Sequence, residues 1–249
     1  MFPLRDDNPT ISKSITTFLI IAVTAGVWIF VQGLGFEPSL SSSVCRFGLI
    51  PGELLGRLPA GFSIRLSRET SCAFDGQPHW VTLISSMFMH GGWFHIIGNL
   101  WFLAVFGDNV EDAMGKFRFI VFYLLCGVAA AGLQIITDPS SAVPMVGASG
   151  AISGVMGAYV VLYPRSPVHM LIFLGFFIDR IIVPAYFMLG YWFVIQILGA
   201  LPSLGQSGGV AFFAHVGGFI AGMILIFIFK DRQRVEMHRQ LLEDRWRYR

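Results

Sequence analysis

Charge is what this chain has least of. Of its 249 residues 13% are Asp, Glu, Lys or Arg and 55% are hydrophobic, against roughly 25% charged in an ordinary soluble domain. That scarcity excludes a conventional water-soluble fold and points to an integral membrane chain. The net charge of +2 is too small to argue for a nucleic-acid partner. No Asp or Glu falls within the apolar spans drawn below, and from Ile181 to Phe229 there is no formal charge at all. A transporter with carboxylates along its path is disfavoured on that ground, and no internal repeat is evident to support one. A His-Glu-x-x-His pair is also absent, which argues against a metal hydrolase and leaves no metal or other cofactor to expect.

What is present is a series of apolar segments, enough for about six crossings of roughly 20 residues each. They run from about Ser14 to Phe36, Trp80 to Phe106, Phe119 to Thr137 and Ser149 to Tyr163, followed by two in Ile181 to Phe229, split by Leu201–Gly209. The first is longer than a signal-peptide core and is read as an anchored helix. The acidic turn Asp108–Asp112 is expected to close the second. Val168 to Ile178 is apolar but too short to cross, so an interfacial or re-entrant piece is expected there. Residues 34–79 form a long first loop punctuated by Pro and Gly.

An even number of crossings puts both termini on one side, and the basic tail of residues 230–249 marks it as cytoplasmic. Arg5, Lys13, Lys116, Arg118, Arg165 and Arg180 then also fall inside, while Arg46, Arg57, Arg65 and Arg68 fall outside, all in the long loop. Two of the three cysteines, Cys45 and Cys72, lie in that loop. A disulfide is the favoured expectation in an oxidising exterior, with two free thiols as the alternative.

Three polar islands interrupt the apolar segments: His90–Asn99, Gly147–Gly150 and Ala214–Gly222. Polar groups are costly in hydrocarbon and persist mainly where they act or pair. Ser149 opens a helix between small residues, so its hydroxyl is unobstructed and its N–H is one of the unpaired donors at a positive dipole end. By itself Gly147-Ala-Ser-Gly150 could equally be a packing face. Gly218 and Gly222, however, share the helical face of His215 and would let that helix approach the glycines beside Ser149, bringing an imidazole to the serine as general base. His95 and Asn99 are one turn apart on one face, placed to donate to a developing oxyanion beside the Ser149 N–H. His90 points elsewhere and is read as holding the adjacent loop.

With those elements in order, the chain resembles the rhomboid family of intramembrane serine proteases in their basic six-helix bacterial form. The resemblance rests on His-x-x-x-x-His-x-x-x-Asn (His90, His95, Asn99), Gly-x-Ser-Gly (Gly147, Ser149, Gly150) and Ala-His-x-x-Gly-x-x-x-Gly (His215, Gly218, Gly222). It implies an all-α membrane bundle of six transmembrane helices over residues 1–249, with both termini cytoplasmic, in an inner or plasma membrane. It further implies a Ser149/His215 catalytic dyad without an acidic third member. Ser149 N–H, His95 and Asn99 would form the oxyanion hole, and single-pass transmembrane proteins would be the substrates, entering a water-filled cavity within the lipid bilayer. Two positions depart from the family pattern. Many relatives carry an aromatic that stacks on the catalytic imidazole where this chain has Ser153, and the Trp-Arg pair often found in the first loop is missing. An inactive rhomboid-like binder of transmembrane helices is the alternative, although such proteins characteristically lose the serine or the histidine. Oligomeric state is not legible.

Overall fold

In the computed structural model residues 2–174, 177–203 and 210–247 are described. Helices dominate: α1 (Ile15–Phe30), α2 (Ser39–Phe47), α3 (Pro51–Leu54), α4 (Thr82–Ser85), α5 (Trp93–Met114), α6 (Lys116–Thr137), α7 (Ser149–Leu162), α8 (Ala185–Ser203), α9 (Phe212–Phe229) and α10 (Arg232–Arg247). Short strands β1 (Phe2–Asp6), β4 (Pro167–Leu174) and β5 (Phe177–Pro184) form one antiparallel sheet, and β2 (Ser63–Arg65) pairs with β3 (Ser71–Ala73) in the first loop. Lys116–Thr137 and Phe212–Phe229 are each long and apolar enough to cross a membrane; Ile15–Phe30, Ser149–Leu162 and Ala185–Leu201 are apolar but shorter. The break expected at Leu201–Gly209 falls in part on residues 204–209, outside the described residues.

The centre of the bundle is α7, whose residues from Gly150 to Tyr159 are all buried. It packs against α6 and α9, and the α7–α9 contact is made backbone to backbone. A methyl added at Gly218 would be driven into the Gly150 carbonyl, one at Gly222 into the Gly154 carbonyl, and one at Gly157 into the Phe219 carbonyl. Hydrocarbon supplies no hydrophobic drive between helices, so such close approach by small residues is what gives dispersion contact.

Two expectations are corrected. The span drawn from Trp80 to Phe106 is not one helix: α4 passes into a 3-10 turn at Ser86–Phe88, the chain extends at Met89, and α5 begins only at Trp93. Gln32 holds this break open. Its side-chain amide donates to the His90 carbonyl at 2.8 Å and accepts from the His90 N–H at 2.8 Å, supplying the hydrogen bonds that a continuous helix would have made.

Nor does the acidic run end the helix, because α5 continues to Met114 and stops at Gly115, whose φ is +83°. The reason lies on α1, which has no side-chain cap of its own. The Glu111 carboxylate accepts the Thr16 N–H, the Thr17 N–H and the Thr17 hydroxyl at 2.9, 2.7 and 2.8 Å. Asp112 accepts the Ile11 and Ser12 N–H groups at 2.7 and 3.0 Å and the Ser12 hydroxyl at 2.6 Å. These buried carboxyl groups therefore cap α1 and the turn before it from another helix.

Where an interfacial or re-entrant piece is expected at Val168 to Ile178, the described residues up to Leu174 belong to strand β4. Its backbone groups pair with β5 on one side and with the N-terminal β1 on the other, which satisfies them without helix. The basic tail is also structured: the Asp231 N–H donates to the Ala113 carbonyl at 2.9 Å, and in α10 His238 Nε2 bonds the Pro9 carbonyl at 2.9 Å while Arg234 lies 3.8 Å from Asp112. The N-terminal strand, the α5–α6 turn, the β4–β5 hairpin and α10 thus share one end of the bundle.

In the first loop Cys45 and Cys72 form a disulfide over a small core of Ile50, Leu58, Cys72 and Phe74. Reciprocal backbone bonds between Leu49 and Met145, at 2.9 and 2.7 Å, tie the loop to the segment leading into α7.

Candidate active site

Ser149 is the first residue of α7, so its N–H has no carbonyl four residues back within the helix to receive it. His215 lies in the first turn of α9. The glycine contact between these helices brings His215 Nε2 to 2.7 Å from Ser149 Oγ, a hydrogen bond of ordinary strong geometry.

The other ring nitrogen has a partner that sequence reasoning missed. His215 Nδ1 lies 2.8 Å from Gln196 Oε1 on α8. One turn earlier on the same helix, the Trp192 ring lies against the imidazole with centroids 5.9 Å apart at 38°. Ser153 makes no such contact; its hydroxyl turns back to the Ser149 carbonyl at 2.6 Å. The histidine is therefore flanked from α8 instead of from within α7. A signal for this was available: Gln196 is an amide in a charge-free apolar segment, as anomalous there as Asn99 is in its own.

His95 and Asn99 face the same cavity. The Gly91 N–H donates to His95 Nδ1 at 3.3 Å, which leaves Nε2 as the protonated, donating nitrogen of the neutral ring. Gly147 lies against that nitrogen: a Cβ there would sit 2.7 Å from His95 Nε2, and its φ of +129° is itself unfavourable for any other residue. Gly150 backs onto Ala130, where a Cβ would stand 2.6 Å from the alanine methyl. Asn99 is 8% exposed and its Nδ2 has no hydrogen-bond partner. An unsatisfied buried donor is costly, and one on a cavity wall invites an acceptor from a ligand. His90 is fully buried with both ring nitrogens unpartnered, and it packs edge-on to His95 with centroids 5.0 Å apart.

The cavity has a volume of about 670 Å³ and is walled by His95, Asn99, Ser149, Trp192 and His215, with Met145 on its loop side. A nucleophilic hydroxyl, a base in contact with it and several free N–H donors thus converge on one space, the parts required for acyl transfer through a tetrahedral oxyanion. Among the described residues, the group that could hold a cation is Glu53, Asp75 and His79 in the first loop. None of these lines the cavity, and His79 Nε2, 3.3 Å from Asp75 and 3.9 Å from Glu53, ties them into a cluster of their own in the first loop.

A family model described as the Rhomboid domain matches residues 77–232. The chain is 30% identical over 155 residues to Rhomboid-like protein 11, chloroplastic, of Arabidopsis thaliana, covering 61% of this chain and 53% of that protein. It is 32% identical over 158 residues to the rhomboid protease GluP of Bacillus subtilis (strain 168), covering 63% and 27%. To Rhomboid-like protease 5 of Toxoplasma gondii it is 30% identical over 148 residues, covering 58% and 16%. The chain spans about half the length of the chloroplast protein and less of the other two.

Proposed function

The chain belongs to the rhomboid family, and from that premise we propose that it is an intramembrane serine endopeptidase with Ser149 as nucleophile and His215 as general base. Members of this family are generally intramembrane serine proteases, and some are inactive. The observation that carries the active reading is the 2.7 Å contact between Ser149 Oγ and His215 Nε2 on the wall of a cavity.

The Ser149 proton passes to His215 Nε2 as Oγ attacks the scissile carbonyl carbon. Charge then develops on the carbonyl oxygen, where the Ser149 N–H, His95 Nε2–H and Asn99 Nδ2–H can receive it. Collapse of the intermediate expels the amine, which takes the proton from His215, and a water repeats the sequence to release the acyl group. No metal or cofactor enters the scheme.

Substrates are single-pass transmembrane proteins whose helix opens near small residues to reach Ser149 from within the bilayer. The topology is six crossings in an inner or plasma membrane, with residues 34–79 as an external loop and residues 230–249 as a cytoplasmic tail. A band of exposed Phe18, Leu19, Phe187, Leu198, Ile224 and Phe227 on α1, α8 and α9 supports a lipid-facing surface, and the basic residues at the β1–α10 end support its cytoplasmic placement.

The test is cleavage of a generic transmembrane substrate by the purified protein in liposomes, together with fluorophosphonate labelling. Ser149→Ala and His215→Ala are each expected to abolish cleavage, the double variant being no worse than either, because groups that act as a unit are not additive. Cleavage by Ser149→Ala above background, or label on another residue, would overturn the assignment.

A further inference from the structure

We propose that Gln196 is a positioning residue for the reaction, the third member of a Ser149–His215–Gln196 relay, which holds the imidazole in the tautomer that can act as a base. The inference rests on the Ser149/His215 reading and extends it to α8.

The tautomer follows from the amide. Gln196 is 7% exposed, and its Nε2 donates to the Trp192 carbonyl at 3.4 Å while its Oε1 faces His215 Nδ1 at 2.8 Å. Reversing the amide would set Oε1 against the Trp192 carbonyl oxygen, acceptor against acceptor, and Nε2 against Nδ1. The arrangement with both contacts satisfied makes Nδ1 the protonated nitrogen and leaves the Nε2 lone pair facing Ser149 Oγ. The opposite tautomer would carry its proton on Nε2 and could not accept one from serine. Trp192 lies beside the same ring, with centroids 5.9 Å apart at 38°.

An amide suits this position better than a carboxylate. It fixes orientation and tautomer without placing a permanent charge in an apolar helix, where an unpaired carboxylate would be costly. The outward side of α8 carries Tyr191, Val194, Ile195 and Leu198, all exposed and apolar. Gln196 is thus the polar group that this helix turns toward His215.

Two variants test the role. Gln196→Leu keeps the volume and removes the acceptor. It is expected to lower kcat by about 10-fold or more with KM within about twofold, because the imidazole then samples the wrong tautomer while the substrate site is unchanged. Gln196→Glu restores an acceptor and adds charge. The acidic limb of its kcat/KM profile is expected to move to higher pH by about one unit or more, as a carboxylate beside an imidazole favours the imidazolium. Among the described residues, the other titratable groups on the cavity lining are His95 from α5 and Asp138 at the end of α6; they are the same in parent and variant.

A Gln196→Leu variant that folds and cleaves within twofold of the parent would overturn the proposal. If that variant does not fold, an unmoved acidic limb in Gln196→Glu overturns it and a moved one supports it. Failure of the underlying dyad is separately visible as cleavage surviving in Ser149→Ala.

Discussion

At Asn99 one nitrogen atom separates a packing residue from a catalytic donor. Its Nδ2 is buried and unpartnered and the residue lines the cavity; under the proposed mechanism that donor would bond the oxyanion in the transition state and lower the barrier. Asn99→Ala is therefore expected to lower kcat by on the order of 10- to 1000-fold, the range for losing one oxyanion donor among several, with little change in melting temperature. A variant that melts early yet keeps full specific activity would make Asn99 structural. His95 differs in kind: its orientation depends on the Gly91 N–H at 3.3 Å and on the bare backbone of Gly147, so its donor is aimed by neighbours that carry no chemistry themselves. The spacing of His95 and Asn99 revealed their shared face in the sequence. Which ring nitrogen donates did not follow from spacing, because it depends on a loop amide.

Between elements, the decisive contact is α7 against α9. Gly150, Gly154, Gly218 and Gly222 let the two backbones touch, and the Ser149–His215 distance is set by how close they come. Gly218→Val is expected to inactivate the protein with no reacting group altered, since added methyls must displace the Gly150 carbonyl, next in chain to Ser149, and small misplacements are costly in catalysis. Undiminished cleavage in that variant would mean the helices can separate without parting serine from histidine. The glycine periodicity that predicts this contact is local and strong. By contrast, the in-trans capping of α1 by Glu111 and Asp112 left only an acidic run in the sequence, which reads as a helix terminator until the helix it caps is in place.

For the whole molecule, the N-terminal strand is fastened to the bundle through a titrating group. The Tyr159 hydroxyl donates to Asp6 Oδ2, and burial raises the Asp6 carboxyl from its ordinary 3.8 to about 7, against the lowering effect of that hydrogen bond. Burial likewise raises Asp108 to about 6. A carboxyl with a raised folded pKa binds its proton more tightly when folded. Its stabilisation is complete below about pH 4, fades as pH rises through about 6 to 7, and is gone above. Thermal unfolding in detergent is expected to show the parent losing stability relative to Asp6→Asn between about pH 4 and 7, with a constant difference at higher pH. A parent-to-variant difference that does not change with pH would remove Asp6 from this role.

The sequence by itself determined that the chain is a membrane protein of mainly helical build, and its three polar islands singled out Ser149, His215, His95 and Asn99, which the fold brings to the wall of one cavity. Those features are written in composition and in helical spacing, which act over a few residues. Tertiary structure alone decided that Gln196 and Trp192 from α8 flank His215 in place of an aromatic at Ser153, that Gln32 holds open the break before α5, and that the run after Pro167 pairs as a strand with the N-terminus. In each case the deciding hydrogen bond or ring contact joins residues far apart in the chain, and a backbone or imidazole group takes whichever partner the packed helices bring to it.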